Sequence, residues 1–323
     1  MQLPTTKSLH RLSIENPWFA VNPLFWTSQP LRLLDCHFQH FDSALPPSSS
    51  SSIAADKNLI MHSRRLAKMN SPIVKSISVG HLLRCQDSPL EKVDGSPPFT
   101  FAGRAVHSPD CDVFQVSTTS TQQRPIVGYY HYDKVTRERQ RVLRPRLHPG
   151  DGCNYPVSKM YQRKLRTVTP SLWFEDSYLV CVLLSLAQLQ WRKPRKPRTP
   201  RPKAFSARLL VTNKSDTTLA HIFQADIPYE LLEALNHPTL DMESFVWPTI
   251  QHIQVPFEPY ASFAKRIIVQ LVGYEYSSAV KPQPEVVQRG EKRKRDESDV
   301  VGQRRSVKSW DSMQPAAVSM ANR

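Results

Sequence analysis

Glycine is scarce: 9 residues in 323. So few glycines leave no G-x-x-x-x-G-K-[ST] and no G-x-G-x-x-G, and the glycine-built phosphate cradles of nucleotide-binding folds are excluded. No G-x-S-x-G elbow occurs, and no H-E-x-x-H. The 5 cysteines (Cys36, Cys85, Cys111, Cys153, Cys181) are far apart. They form no C-x-x-C pair and no disulfide framework. The stretch "CHFQH" brings Cys36, His37 and His40 together, but no second cluster along the chain completes a metal site. No apolar run is long enough to cross a bilayer. The longest, Tyr178–Leu189, has twelve residues, with Ser185 and Gln188 among them, and a spanning helix needs about 20. Pro17, Asn22 and Pro23 break the apolar residues near the start, so no signal-peptide core is expected there.

What the chain has in abundance is proline, 28 residues, and positive charge, a net +15. The charge is unevenly placed. Across residues 165–280, leaving out 192–203, five basic residues face ten acidic ones, a net of −5. The excess lies in the flanks and in one proline-rich segment. That segment holds Arg192, Lys193, Arg195, Lys196, Arg198, Arg201 and Lys203, spaced by four prolines. Proline at this density forbids helix and favours an extended chain. It reads as a linker, or as an arm able to follow a phosphate backbone. A second cluster, Lys292, Arg293, Lys294 and Arg295, has the composition read by import receptors and points to the nucleus, with the cytoplasm as the alternative.

Periodicity locates the folded part. Thr169, Pro170 and Ser171 supply helix-start signals before the apolar run, and Glu175 and Asp176 suit a helix amino end. A buried helix is expected over Ser171–Trp191. Two alternating stretches, Ala204–Asn213 and Thr218–Ile227, predict a β-hairpin. A helix from Pro228, a strand over Ile250–Phe257 and a helix with Phe263, Ile267, Leu271 and Tyr274 on one stripe follow. The order predicts an α+β domain: a small three- to four-stranded sheet with a β-hairpin, covered by about three helices, with long disordered flanks. Its expected bounds are 165–278, with the 192–203 linker inside. Residues 1–120 read as a largely disordered extension, with a short helix over Asn58–Met69. Residues 121–164 read as a partly ordered basic segment with a strand at Ile126–Asp133, and 279–323 as a disordered basic tail.

Three stretches carry a resemblance: "FEDSYLVCVLLSLAQLQ", "SARLLVTNKSDTTLAHIFQADIPYELLEAL" and "IQHIQVPFEPYASFAKRIIVQLV". Over about residues 171–273 the chain resembles a group of uncharacterised proteins of filamentous fungi. The resemblance implies a fungal source and a shared domain, and no mechanism.

The element order overlaps that of restriction-type nucleases, which need two acids and a lysine around Mg²⁺. Asp226 and Glu230 fall near the required place, but no lysine accompanies them. No catalytic residue, metal site or cofactor is therefore expected. His221 reads as a satisfied core histidine, His252 as solvent-facing, and Trp173, Trp247 and Phe257 as packing anchors. The expected role is a non-enzymatic protein-interaction module without membrane association. Its partners would be an import receptor and a protein docking at the sheet edge. A nucleic-acid-associated protein using the basic arms, or a degenerate nuclease-like domain, is the alternative.

Overall fold

The computed structural model describes residues 8–41, 56–86, 88–117, 125–145, 154–193, 202–242 and 246–273. The helices among them are α1 (Leu9–Glu15), α2 (Ser28–Leu33), α3 (Lys57–Lys68), α4 (Pro72–Leu83), α5 (Asp133–Leu143), α6 (Tyr155–Val168), α7 (Ser177–Trp191), α8 (Tyr229–Asn236) and α9 (Tyr260–Val272). The strands are β1 (Phe38–Phe41), β2 (Leu90–Val93), β3 (Phe99–Phe101), β4 (Arg104–His107), β5 (Asp112–Val116), β6 (Ile126–His131), β7 (Ala204–Thr212), β8 (Leu219–Pro228) and β9 (Ile250–Pro256).

The small sheet expected from the sequence is corrected to a seven-stranded mixed sheet in the order β1-β9-β8-β7-β6-β5-β2, beside a two-stranded β3-β4 ribbon. The predicted hairpin is β7–β8, pairing Ala204 with Pro228 through Val211 with His221. The larger sheet arises because three of its strands, β1, β2 and β5, come from the first 120 residues, where the sequence shows no sustained period. Strands β1 and β2 have four residues each and lie at the two edges. An edge strand this short has no room to display an alternating period. Helices α1 to α4 come from the same region.

Helices cover both faces of the sheet. Phe205, Ala207, Leu209 and Val211 of β7 pack with Phe223 and Ala225 of β8 against α7 and α8. Leu210, Ala220, Ile222 and Val255 point the other way, into a second core closed by α3, α4 and α9. Helix α7 is buried from Ser177 to Gln188, which explains its apolar circumference. Gly128 in β6 lets it approach: a Cβ there would lie 2.8 Å from Leu186 Cδ1 and 2.9 Å from Cys111 Sγ. Among the described residues no helix is long and apolar enough to cross a membrane.

Helix α7 starts later than its hydroxyl signals indicated. A 3-10 turn, Trp173–Glu175, precedes it, and Asp176 caps it by accepting from Tyr178 N at 2.9 Å. Asp176 does more than cap. It receives Arg139 of α5 in a two-pronged pair (2.5 and 2.9 Å) and the Tyr132 hydroxyl at 2.7 Å. Arg139 and Asp176 are both 1% exposed at the side chain.

Candidate functional site

Strand directions define where a site can form. β1, β9, β7 and β6 run the same way, with β8 antiparallel among them. The carboxyl ends of the adjacent parallel strands β6 and β7 therefore meet, as in α/β sheets that bind ligands beyond their strand ends. Polar side chains collect there on one face of the sheet, and a second polar cluster crosses β8, β9 and β1 on the other.

On the α4 face stand Lys75, His131 and Asp133. Lys75 lies on the stripe of α4 that continues through Val79 and Leu82 into the core, so the helix turns its ammonium inward. It is fully buried, and burial pushes it down to about 8. His131 ends β6 and is also fully buried. Its Nδ1 lies 3.0 Å from the Thr212 carbonyl, so Nδ1–H donates and Nε2 carries the lone pair. Burial first, then the Lys75 charge, push this ring down to about 4, and it is neutral at pH 7. Its Nε2 faces Asp133 Oδ2 at 3.6 Å, one acceptor toward another. Lys75 Nζ, His131 Nε2 and Asp133 Oδ2 are buried without a hydrogen-bond partner. Half-exposed Lys214 (3.6 Å) and Arg137 (4.0 Å) approach the same Asp133 oxygen from the solvent side. Buried polar groups without partners are rare and call for an explanation.

On the α7 face three histidines from separate strands form a chain. His40 Nδ1 of β1 lies 2.7 Å from His252 Nδ1 of β9. His252 Nε2 lies 2.8 Å from His221 Nδ1 of β8. Each end meets a carboxylate: His221 Nε2 to Asp216 Oδ2 (2.9 Å) and His40 Nε2 to Glu175 Oε1 (3.0 Å). Phe174 stacks on both the His221 and His252 rings. His252, expected to face solvent, is fully buried, because Phe174 and Phe223 cover its two faces. Burial, with its two imidazole neighbours, pushes it down to about 3. His221 is buried with both nitrogens hydrogen-bonded.

The residues singled out by motif lie elsewhere. Cys36 is buried with its thiol toward the Pro248 carbonyl, and burial pushes it up to about 12. His37 approaches Thr249 at 3.4 Å, away from the chain that takes His40. Asp226 is 62% exposed and engaged by Ser206 and Arg208, far from an acid–lysine constellation. Among the described residues no group of three or more metal-ligand side chains shares one centre. Of the basic segment, Arg192 is engaged by Thr100 Oγ1 and Lys193 by Gln115, while Lys203 is exposed. Arg195, Lys196, Arg198, Arg201 and the cluster Lys292, Arg293, Lys294 and Arg295 lie outside the described residues. A separate concavity of about 160 Å³ between Trp26, Phe99, Leu184, Leu235 and Trp247 is lined almost wholly by apolar surface.

Composition carried no signal for Lys75 or Asp133. The one available hint was "GYYHYD", where a strand of buried residues ends in a histidine and an acid opens the next helix. No protein-family model matches the chain, and no curated protein matches it.

Proposed function

We propose that the protein binds a small anion that also carries a hydroxyl, of the sugar-phosphate or hydroxy-acid class, at the Lys75–His131–Asp133 site. The observation that carries this reading is the set of three buried polar atoms without a hydrogen bond at the meeting carboxyl ends of β6 and β7. A ligand hydroxyl would donate its one hydrogen to the Asp133 Oδ2 lone pair, and a second hydroxyl would donate to His131 Nε2. Its anionic group would pair with Lys75, and Lys214 and Arg137 at the solvent side would draw it in.

The test is Lys75→Met. Methionine keeps the length of the side chain and removes the buried charge. Without ligand it should raise stability by roughly 3 kcal/mol at pH 7, since a buried ammonium is disfavoured there. The lysine is pushed down to about 8 from 10.5. The folded chain therefore holds this proton more weakly than the unfolded one. The gain is full below pH 8 and vanishes as pH rises past 10.5. Titration calorimetry with glycerol phosphate should show binding to the native protein, weakened at least tenfold in Lys75→Met. No binding by the native protein, with Lys75→Met simply more stable, would refute the reading.

A second reading, the protein-interaction module, is favoured by α6. This helix has no buried residue, exposes Tyr155 and Met160, and carries Lys159, Arg163, Lys164 and Arg166 without an acid. It would suit an acidic protein partner. The triple charge reversal K159E/R163E/K164E should abolish binding to polyglutamate while the far-ultraviolet spectrum stays unchanged. Undiminished binding would remove α6 from consideration.

A further inference from the structure

We infer that the chain Glu175–His40–His252–His221–Asp216 is a site for one proton beyond those its three neutral imidazoles carry. The argument is a count of hydrogens. The chain has four links, all between 2.7 and 3.0 Å. Each link needs one hydrogen between its two heavy atoms. Two carboxylates bring none, and three neutral imidazoles bring one each. The fourth link closes only when an additional proton enters.

The direction of each donor follows from the Asp216 end. Asp216 Oδ1 already accepts from Thr218 N, Thr218 Oγ1 and Leu219 N, which fixes it as a carboxylate acceptor in the β7–β8 turn. His221 Nε2–H therefore donates to Oδ2, leaving His221 Nδ1 as acceptor. His252 Nε2–H donates to that nitrogen, leaving His252 Nδ1 as acceptor. His40 Nδ1–H must then donate to His252, and only a second hydrogen on His40 Nε2 satisfies Glu175. The additional proton thus makes His40 an imidazolium between His252 and Glu175. His40 is 42% exposed at the side chain and Glu175 41%, whereas His221 and His252 are buried. The charge is placed where water can solvate it.

Among the described residues, the charged and titratable groups facing the chain are its own five members and, across the end of the sheet, Lys75, which feels the Asp216 charge. The remaining rings against it, Trp173, Phe174 and Phe223, are uncharged. His40 lies in the edge strand β1 and Glu175 in the turn before α7. The proton therefore ties an edge of the sheet to the start of the central helix, and its loss opens that tie.

The test is nitrogen-15 NMR of the histidine-labelled full chain from pH 5.5 to 9, with Glu175→Gln beside it. His221 and His252 should appear as neutral Nε2–H tautomers at every pH, and His40 as an imidazolium at the acid end. Glutamine supplies the missing hydrogen itself, because its amide can donate to His40 Nε2. Proton uptake at His40 should therefore weaken at least tenfold in Glu175→Gln, a fall of one pH unit or more in its midpoint. Glu175 is exposed enough that the variant keeps the fold. An unmoved midpoint, or an Nδ1–H tautomer or imidazolium at His221 or His252, would overturn the inference.

Discussion

Asp176→Ala is expected to lower stability by ~3–5 kcal/mol, the usual cost of leaving one member of a buried ion pair unpaired. Three losses coincide at this side chain. Among the described residues, the Arg139 guanidinium, held by both carboxylate oxygens, then keeps its Nε bond to the Leu24 carbonyl at 2.7 Å. The Tyr132 hydroxyl loses its acceptor. Helix α7 loses its amino-terminal cap, itself worth about 1 kcal/mol. Asp176→Asn should cost less, because an amide oxygen still accepts from Tyr178 N. Chemical denaturation of both variants checks the order. Equal stability of Asp176→Ala and the native protein would mean that the Arg139–Asp176 pair does not hold α5 to α7.

Acidification is expected to destabilise the protein by roughly 4 kcal/mol between pH 7.5 and pH 5, through His131 and His252 alone. Both rings are fully buried, and burial pushes them down to about 4 and about 3. In the unfolded chain they titrate near 6.5. Below that value the unfolded state takes up protons that the folded state refuses, so stability falls as pH falls. Each ring contributes about 2 kcal/mol by pH 5, on the basis of 1.36 kcal/mol per pH unit below 6.5. The loss continues toward pH 4 for His131 and toward pH 3 for His252. Urea unfolding at pH 7.5, 6 and 5 measures it. In the double variant His131→Phe with His252→Phe the slope should flatten, even where both states start from lower stability. A native protein equally stable at pH 7.5 and pH 5 would show that these rings accept protons in place.

How much of this could be read in the chain depends on the range over which each feature is decided. The hairpin Ala204–Thr212 and Leu219–Pro228, helix Tyr229–Asn236, strand Ile250–Pro256 and helix Tyr260–Val272 each show their period within about ten residues. Burial of one face leaves that period in the sequence. The apolar circumference of Ser177–Trp191 likewise marks a helix packed on several sides.

Sheet size left no such trace. Strands of four residues, Phe38–Phe41 and Leu90–Val93, exist because β9 and β5 offer them hydrogen bonds. Both candidate sites belong to the same class. His40, His221 and His252 look like isolated histidines, and pairing β1, β9 and β8 side by side is what joins them. Lys75 looks like an ordinary lysine in a mostly apolar segment, and only the packing of α4 over β6 turns it toward His131 and Asp133. The sequence by itself determined which segments become helix or strand wherever burial repeats locally. Which histidine meets which, and which lysine is sealed from water, was decided by long-range register. Register is set by the summed packing of both sheet faces, and no single segment records that sum.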